Sequence, residues 1–122
     1  EQYIRVVSAS FGPLTDAQWR HLTETTARRL DNGRWGTNYD PAIAMPFKAP
    51  IADVVLWPFW DQVRCPTLLL RGRESDLLPS ETAKEMTTRG PKARVVEFAG
   101  IGHAPMLMAR DQMDTVLDFL PD

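Results

Sequence analysis

Thr67-Leu68-Leu69-Leu70-Arg71, opened by Cys65-Pro66 and closed by Gly72, is a short and almost continuous apolar run. A run of this kind predicts a strand covered on both faces, as in parallel sheets. Ala93-Arg94-Val95-Val96-Glu97-Phe98 predicts a second strand, and the separation of roughly 20 residues leaves room for a crossover helix. Ser80 is placed to cap that helix over Glu81–Arg89, and Gly90-Pro91 to stop it. Beyond the second strand come the loop Ala99-Gly100-Ile101-Gly102-His103 and a last helix, with Met113, Val116, Leu117 and Leu120 at i, i+3, i+4 and i+7. Strand, helix, strand and helix in this order predict a βαβ unit, and hence a parallel pair.

Working outward towards the N-terminus, the chain changes character near residue 61. Residues 1–60 hold six basic and six acidic groups and all four tryptophans, whereas residues 61–122 hold eight basic and ten acidic groups. The first part reads as helices joined by proline-broken loops. Thr15-Asp16-Ala17-Gln18 fits a capping box. The helix it opens places Trp19, Leu22, Thr26, Ala27 and Leu30 on one face, and Asp31-Asn32-Gly33 is expected to end it. Residues 34–50 are loop-rich, and Asp53 is expected to cap a short helix through Val54–Trp57.

The 122 residues carry a net charge of −2, with 43% hydrophobic and 25% charged residues, the balance of an ordinary globular domain. Dispersed charge argues against nucleic acid or an anionic membrane surface as partner. No apolar run approaches the roughly 18 residues of a membrane span. Cys65 is the single cysteine, so no intrachain disulfide forms. With no leader-like opening, the chain reads as cytoplasmic. Two histidines and one cysteine offer no metal-ligand cluster. No G-x-G-x-x-G follows a strand, so no nucleotide cofactor is expected either.

Chemistry is expected on two loops at the C-terminal ends of the predicted strands, the edge where open α/β sheets bind ligands. These are Gly72-Arg73-Glu74-Ser75-Asp76-Leu77-Leu78-Pro79 and Gly100-Ile101-Gly102-His103-Ala104-Pro105. Taken singly, Asp76 reads as a turn residue and His103 as a surface loop residue. Together, an acid and a histidine on neighbouring loops can share a hydrogen bond that fixes the imidazole tautomer and stabilises the imidazolium.

Residues 61–122 resemble the C-terminal end of an α/β-hydrolase, whose triad runs in the order nucleophile, acid, histidine. The stretch from Cys65 to Gly72 is similar to the penultimate core strand of that family. Val95-Val96-Glu97-Phe98 through His103-Ala104-Pro105 is similar to its last strand and histidine loop. The resemblance implies Asp76 as catalytic acid and His103 as general base. The commoner spacing puts the acid three residues after the glycine, where this chain has Ser75; Glu74 is the alternative acid. Residues 1–60 resemble the helical cap of bacterial members. The implied architecture is the C-terminal portion of an α/β-hydrolase fold, residues 61–122, preceded by a cap, residues 1–60. Trp57, Phe59, Trp60, Phe47 and Met106 are then candidates to line an apolar substrate pocket, against the alternative that these side chains are core packing.

The nucleophile frame Gly-x-Ser-x-Gly is absent: none of Ser8, Ser10, Ser75 and Ser80 lies in it. Two parallel strands also make a short sheet. The expectation is therefore a C-terminal fragment of a serine hydrolase acting on a small-molecule ester or related carbonyl substrate. It would be completed by an N-terminal segment or a second chain, and inactive and self-associating alone. A non-catalytic α/β interaction module, or a hydrolase relative that has lost its chemistry, is the alternative.

Overall fold

The computed structural model describes residues 1–48 and 55–121. Gln2–Val7 form helix α1, Ala9–Phe11 a 3-10 turn, and Asp16–Thr26 helix α2. The capping box forms as the sequence predicts. Gln18 N donates to Thr15 Oγ1 at 3.3 Å, and Thr15 N donates back to Gln18 Oε1 at 2.8 Å. Trp19 and Leu22, on the predicted face, are buried against Ile4 of α1, with Phe11, Leu14, Met106 and Met108 packed around them.

The helix does not continue to Leu30. It stops at Thr26, and Ala27–Arg29 form strand β1, paired antiparallel with β2, Trp35–Thr37, in the register Ala27↔Thr37. Asp31-Asn32-Gly33 is thus a hairpin turn rather than a helix stop. Leu30 N donates to Arg34 O at 2.8 Å, Arg34 N to Asn32 Oδ1 at 3.0 Å, and Gly33 takes φ +78°. Asn-Gly is the strongest short hairpin signal, and a helix stop draws on the same residues. The pairing with Trp35–Thr37 decides for the hairpin. The threonine-rich end of α2, where the Thr23, Thr25 and Thr26 hydroxyls donate back to the carbonyls of Trp19, His21 and Leu22, lowers the cost of ending the helix there.

A 3-10 stretch follows over Pro41–Lys48, and helix α3 over Trp57–Trp60 carries Pro58 in its first turn, where its missing N–H costs nothing. Asp53 and Val54, expected to begin this helix, lie outside the described residues. Strand β3 (Leu68–Gly72), helix α4 (Ser80–Met86), strand β4 (Arg94–Phe98) and helix α5 (Arg110–Leu117) complete the chain. β3 and β4 are parallel, in register from Leu68↔Arg94 to Gly72↔Phe98, as the two apolar runs predict.

Three details differ from the sequence reading. α4 is shorter at its C-terminal end, and Ser80 is its first residue rather than its cap. Leu68–Leu70 are half-buried, because among the described residues β3 has a single neighbour. On α5 the apolar stripe faces outward, with Leu117 64% exposed, while Gln112 is 5% exposed. Among the described residues, no helix is long and apolar enough to cross a membrane.

Candidate active site

The parallel register brings Gly72 and Phe98 to the same sheet edge, so the loops that follow them start side by side. Backbone hydrogen bonds join them: Arg73 N donates to Phe98 O at 2.8 Å and Glu74 N to Ile101 O at 3.0 Å. The Glu74 carboxylate completes a clasp, accepting from Gly100 N at 3.0 Å. That N–H holds the Glu74 carboxyl below its ordinary range, against a smaller opposing effect of desolvation.

Glycines make this approach feasible. A Cβ on Gly72 would overlap the carbonyl oxygens of Gly102 and Ile101, and one on Gly102 would sit 2.7 Å from Ser10 O. The histidine loop is therefore sandwiched between the end of β3 and the turn at Ala9–Phe11, to which Gly102 N donates at Ser10 O, 2.7 Å.

Below the loops, Arg71 is 5% exposed. It donates from Nε to Leu78 O at 2.7 Å and from Nη1 to Arg73 O at 3.3 Å, bridging the two ends of the acid-bearing loop. Its charge is met by Glu97, its partner across the register, at 2.6 Å. Within the loop, Ser75 N donates to Gly72 O at 3.1 Å and Leu78 N to Ser75 Oγ at 3.1 Å.

His103 projects from this frame as an exposed side chain whose Nδ1 lies 3.2 Å from Ser75 Oγ. Asp76, one residue on, is exposed and forms no hydrogen bond or ion pair with His103. Glu74 is likewise not on the imidazole, its carboxylate being engaged at Gly100. Met106 packs against the Ile4–Trp19–Leu22 cluster and helps to line a hollow of about 500 Å³ with Phe11, Leu14, Phe98 and Ile101. A hollow of about 610 Å³ lies farther off, between α1, α2 and the β1–β2 hairpin.

Trp57 and Trp60, expected in the pocket, are elsewhere. Trp60 Nε1 donates to Arg89 O at 3.1 Å, and the Arg89 guanidinium lies 4.4 Å from the Trp57 ring centroid. Arg89 also forks onto Asp61 at 2.9 and 2.5 Å and holds that carboxyl below its usual range. Since α4 runs back from the loop edge, its C-terminal end lies beside the start of β4. Both tryptophans therefore serve the opposite edge of the sheet, where cation–π and hydrogen-bond contacts fix the entry to β3. Phe59 is 69% exposed, and the Phe47 side chain lies outside the described residues.

No protein-family model matches the chain. The crystal structure of an α/β hydrolase from Novosphingobium aromaticivorans superposes over 97% of this chain and 43% of its own, with a TM-score of 0.78 and 31% identity. A Rickettsia typhi protein assigned as a hydrolase superposes over 96% of this chain and 39% of its own, with a TM-score of 0.85 and 26% identity. The chain has part of the α/β-hydrolase fold. In sequence the chain is 38% identical over 112 residues to the 3-hydroxybutyrate-oligomer hydrolase of Cupriavidus necator, covering 84% of this chain and 38% of that protein. It is also 38% identical over 60 residues to the pimeloyl-[acyl-carrier protein] methyl ester esterase of Nitrosomonas europaea, covering 49% of this chain and 24% of that protein. The chain thus spans well under half the length of the proteins it matches.

The sequence reading did not single out Arg71 and Glu97, or the Glu74–Gly100 clasp. The signal for the first pair was present, since opposite charges interrupt two apolar runs that a parallel register sets side by side. Ser75 was marked by its position, three residues after Gly72, where the family more commonly places its acid.

Proposed function

We propose that this chain is the cap and C-terminal part of a serine hydrolase that cleaves a small-molecule ester or a related carbonyl substrate. In this reading residues 1–60 cover the site and residues 61–122 carry its acid–base half. The observation that supports it most is the clasped pair of loops, which holds His103 at the C-terminal edge of two parallel strands with its Nδ1 against the acid-bearing loop. The names of the two relatives point to ester chemistry, one as an esterase and one acting on oligomers of a hydroxy acid.

In the complete polypeptide a serine from outside these residues attacks the carbonyl while His103 Nε2 takes its proton. The imidazolium then protonates the leaving group, and the neutral ring activates the water that releases the acyl group. Asp76 supplies the negative charge that favours the imidazolium. Met106 and its neighbours, beneath the 9–18 segment, provide an apolar wall for the substrate.

Turnover of p-nitrophenyl butyrate by the complete polypeptide tests this reading. His103→Ala should lower kcat by about 10³-fold or more, with the thermal midpoint unchanged. Wild-type turnover in that variant refutes the assignment. A hydrolase relative without chemistry is the second reading, favoured by the absence of a direct Asp76–His103 hydrogen bond; a wild-type protein inert towards a panel of esters supports it.

A further inference from the structure

We propose that Ser75 is the positioning residue for His103, accepting its Nδ1–H. The inference rests on His103 being the general base. A hydroxyl oxygen offers two lone pairs and one proton. In Ser75 one lone pair is taken by Leu78 N–H at 3.1 Å, which fixes where Oγ sits. His103 Nδ1, at 3.2 Å, meets what remains.

Two senses of that contact exist, with opposite consequences. If the hydroxyl donates to a bare Nδ1, the ring proton sits on Nε2, and the base has no free lone pair for a nucleophile. If Nδ1–H donates to Oγ, Nε2 is free and the hydroxyl proton needs another acceptor. A general base needs Nε2 free to take the nucleophile's proton, which requires the ring's own proton on Nδ1. With His103 as that base, the second sense holds and Ser75 Oγ is the acceptor.

The frame around the loop is built to hold this hydroxyl. Arg71 ties the carbonyls of Arg73 and Leu78, on either side of Ser75, and the Ser75 N–H closes the turn on Gly72 O. Ser75 is half-buried between these contacts, whereas Asp76 is exposed. Ser75 therefore occupies the place facing the histidine that the commoner spacing gives to the acid itself.

The test compares wild type, Ser75→Ala, Ser75→Thr and His103→Ala of the complete polypeptide, with p-nitrophenyl butyrate as probe and ¹⁵N NMR of the His103 ring. Ser75→Ala should lower kcat by roughly 10- to 100-fold with KM within about twofold, and Ser75→Thr, which keeps the hydroxyl, should stay within about threefold of wild type. The ring should carry its proton on Nδ1 in wild type and shift towards Nε2–H in Ser75→Ala. If the alanine variant does not fold, Ser75→Cys carries the same expectation, because a thiol is a poor acceptor. Wild-type kcat and an unchanged tautomer in Ser75→Ala, with His103→Ala inactive, overturn the role of Ser75 alone. Wild-type turnover in His103→Ala instead overturns the reading on which it rests.

Discussion

Replacing Gly72 by alanine is the sharpest perturbation of the loop frame. The added Cβ overlaps Gly102 O and Ile101 O and stands 2.7 Å from the Ile101 carbonyl carbon, whereas real Cβ atoms essentially never approach within 3.0 Å. Every obstructing atom is backbone of the histidine loop, which has no side-chain rotamer through which to escape. That loop is also held from behind by the Gly102–Ser10 hydrogen bond. Relief requires the end of β3 and the histidine loop to part by something on the order of 1 Å. Overpacking in a tight interior costs about 1–3 kcal/mol, and the backbone setting places Gly72→Ala at about 3 kcal/mol. A misplacement of about 1 Å in a catalytic group lowers kcat by roughly 10²-fold. Gly100→Ala is the matched control, because nothing lies within 4 Å of its Cβ position and its difficulty is the backbone φ of +74° alone. It should cost about 1 kcal/mol and retain the clasp to Glu74. Urea denaturation and p-nitrophenyl butyrate kinetics on the complete polypeptide decide the matter. Equal stability losses in the two variants, or wild-type kcat in Gly72→Ala, refute the close-approach reasoning.

Other perturbations probe separate parts of the frame. Arg71→Met leaves Leu78 O and Arg73 O without their donor and Glu97 without its cation; since Glu97 is half open to water, the loss should fall near 2–3 kcal/mol in urea denaturation, and no loss contradicts the bridging role. The Glu74 clasp has a defined pH dependence. Its carboxyl lies below its ordinary value of 4.5 in the folded chain, so the contribution is complete above that value and lost as pH falls through the lower folded one. The Gly100 amide resonance should titrate with a midpoint below 4.5, and a midpoint above it removes the clasp from the account. Trp60→Phe deletes the hydrogen bond to Arg89 O and should cost about 1 kcal/mol with KM unchanged; a raised KM would return Trp60 to the substrate pocket. Thr15→Ala removes the α2 cap and should cost about 1 kcal/mol, read as a lowered thermal midpoint.

The sequence made the parallel pair legible because two apolar runs and a crossover of helical length admit few other arrangements. The histidine loop was legible from Gly-x-Gly-His-x-Pro, and Thr15–Gln18 because a capping box depends on residues three apart in sequence and on nothing distant. Features decided by tertiary contacts were not legible. The fate of Asp31-Asn32-Gly33 depends on whether Trp35–Thr37 returns to pair with Ala27–Arg29, a pairing with weak local signals. Trp57 and Trp60 carry the same composition whether they line a pocket or brace Arg89, and only the direction in which α4 runs places them at the far edge. Which of Ser75 and Asp76 faces His103 is a matter of one residue in a tight loop, held by the Arg71 bridge and the turn onto Gly72.

Peptide mapping of the complete polypeptide after reaction with a fluorophosphonate tests the central claim most directly, that this chain holds the acid–base half of a serine hydrolase and not its nucleophile. The account predicts one modified serine outside residues 1–122, with modification slowed by at least about 10²-fold in His103→Ala. A label on Ser8, Ser10, Ser75 or Ser80, or labelling at the wild-type rate without His103, would contradict it.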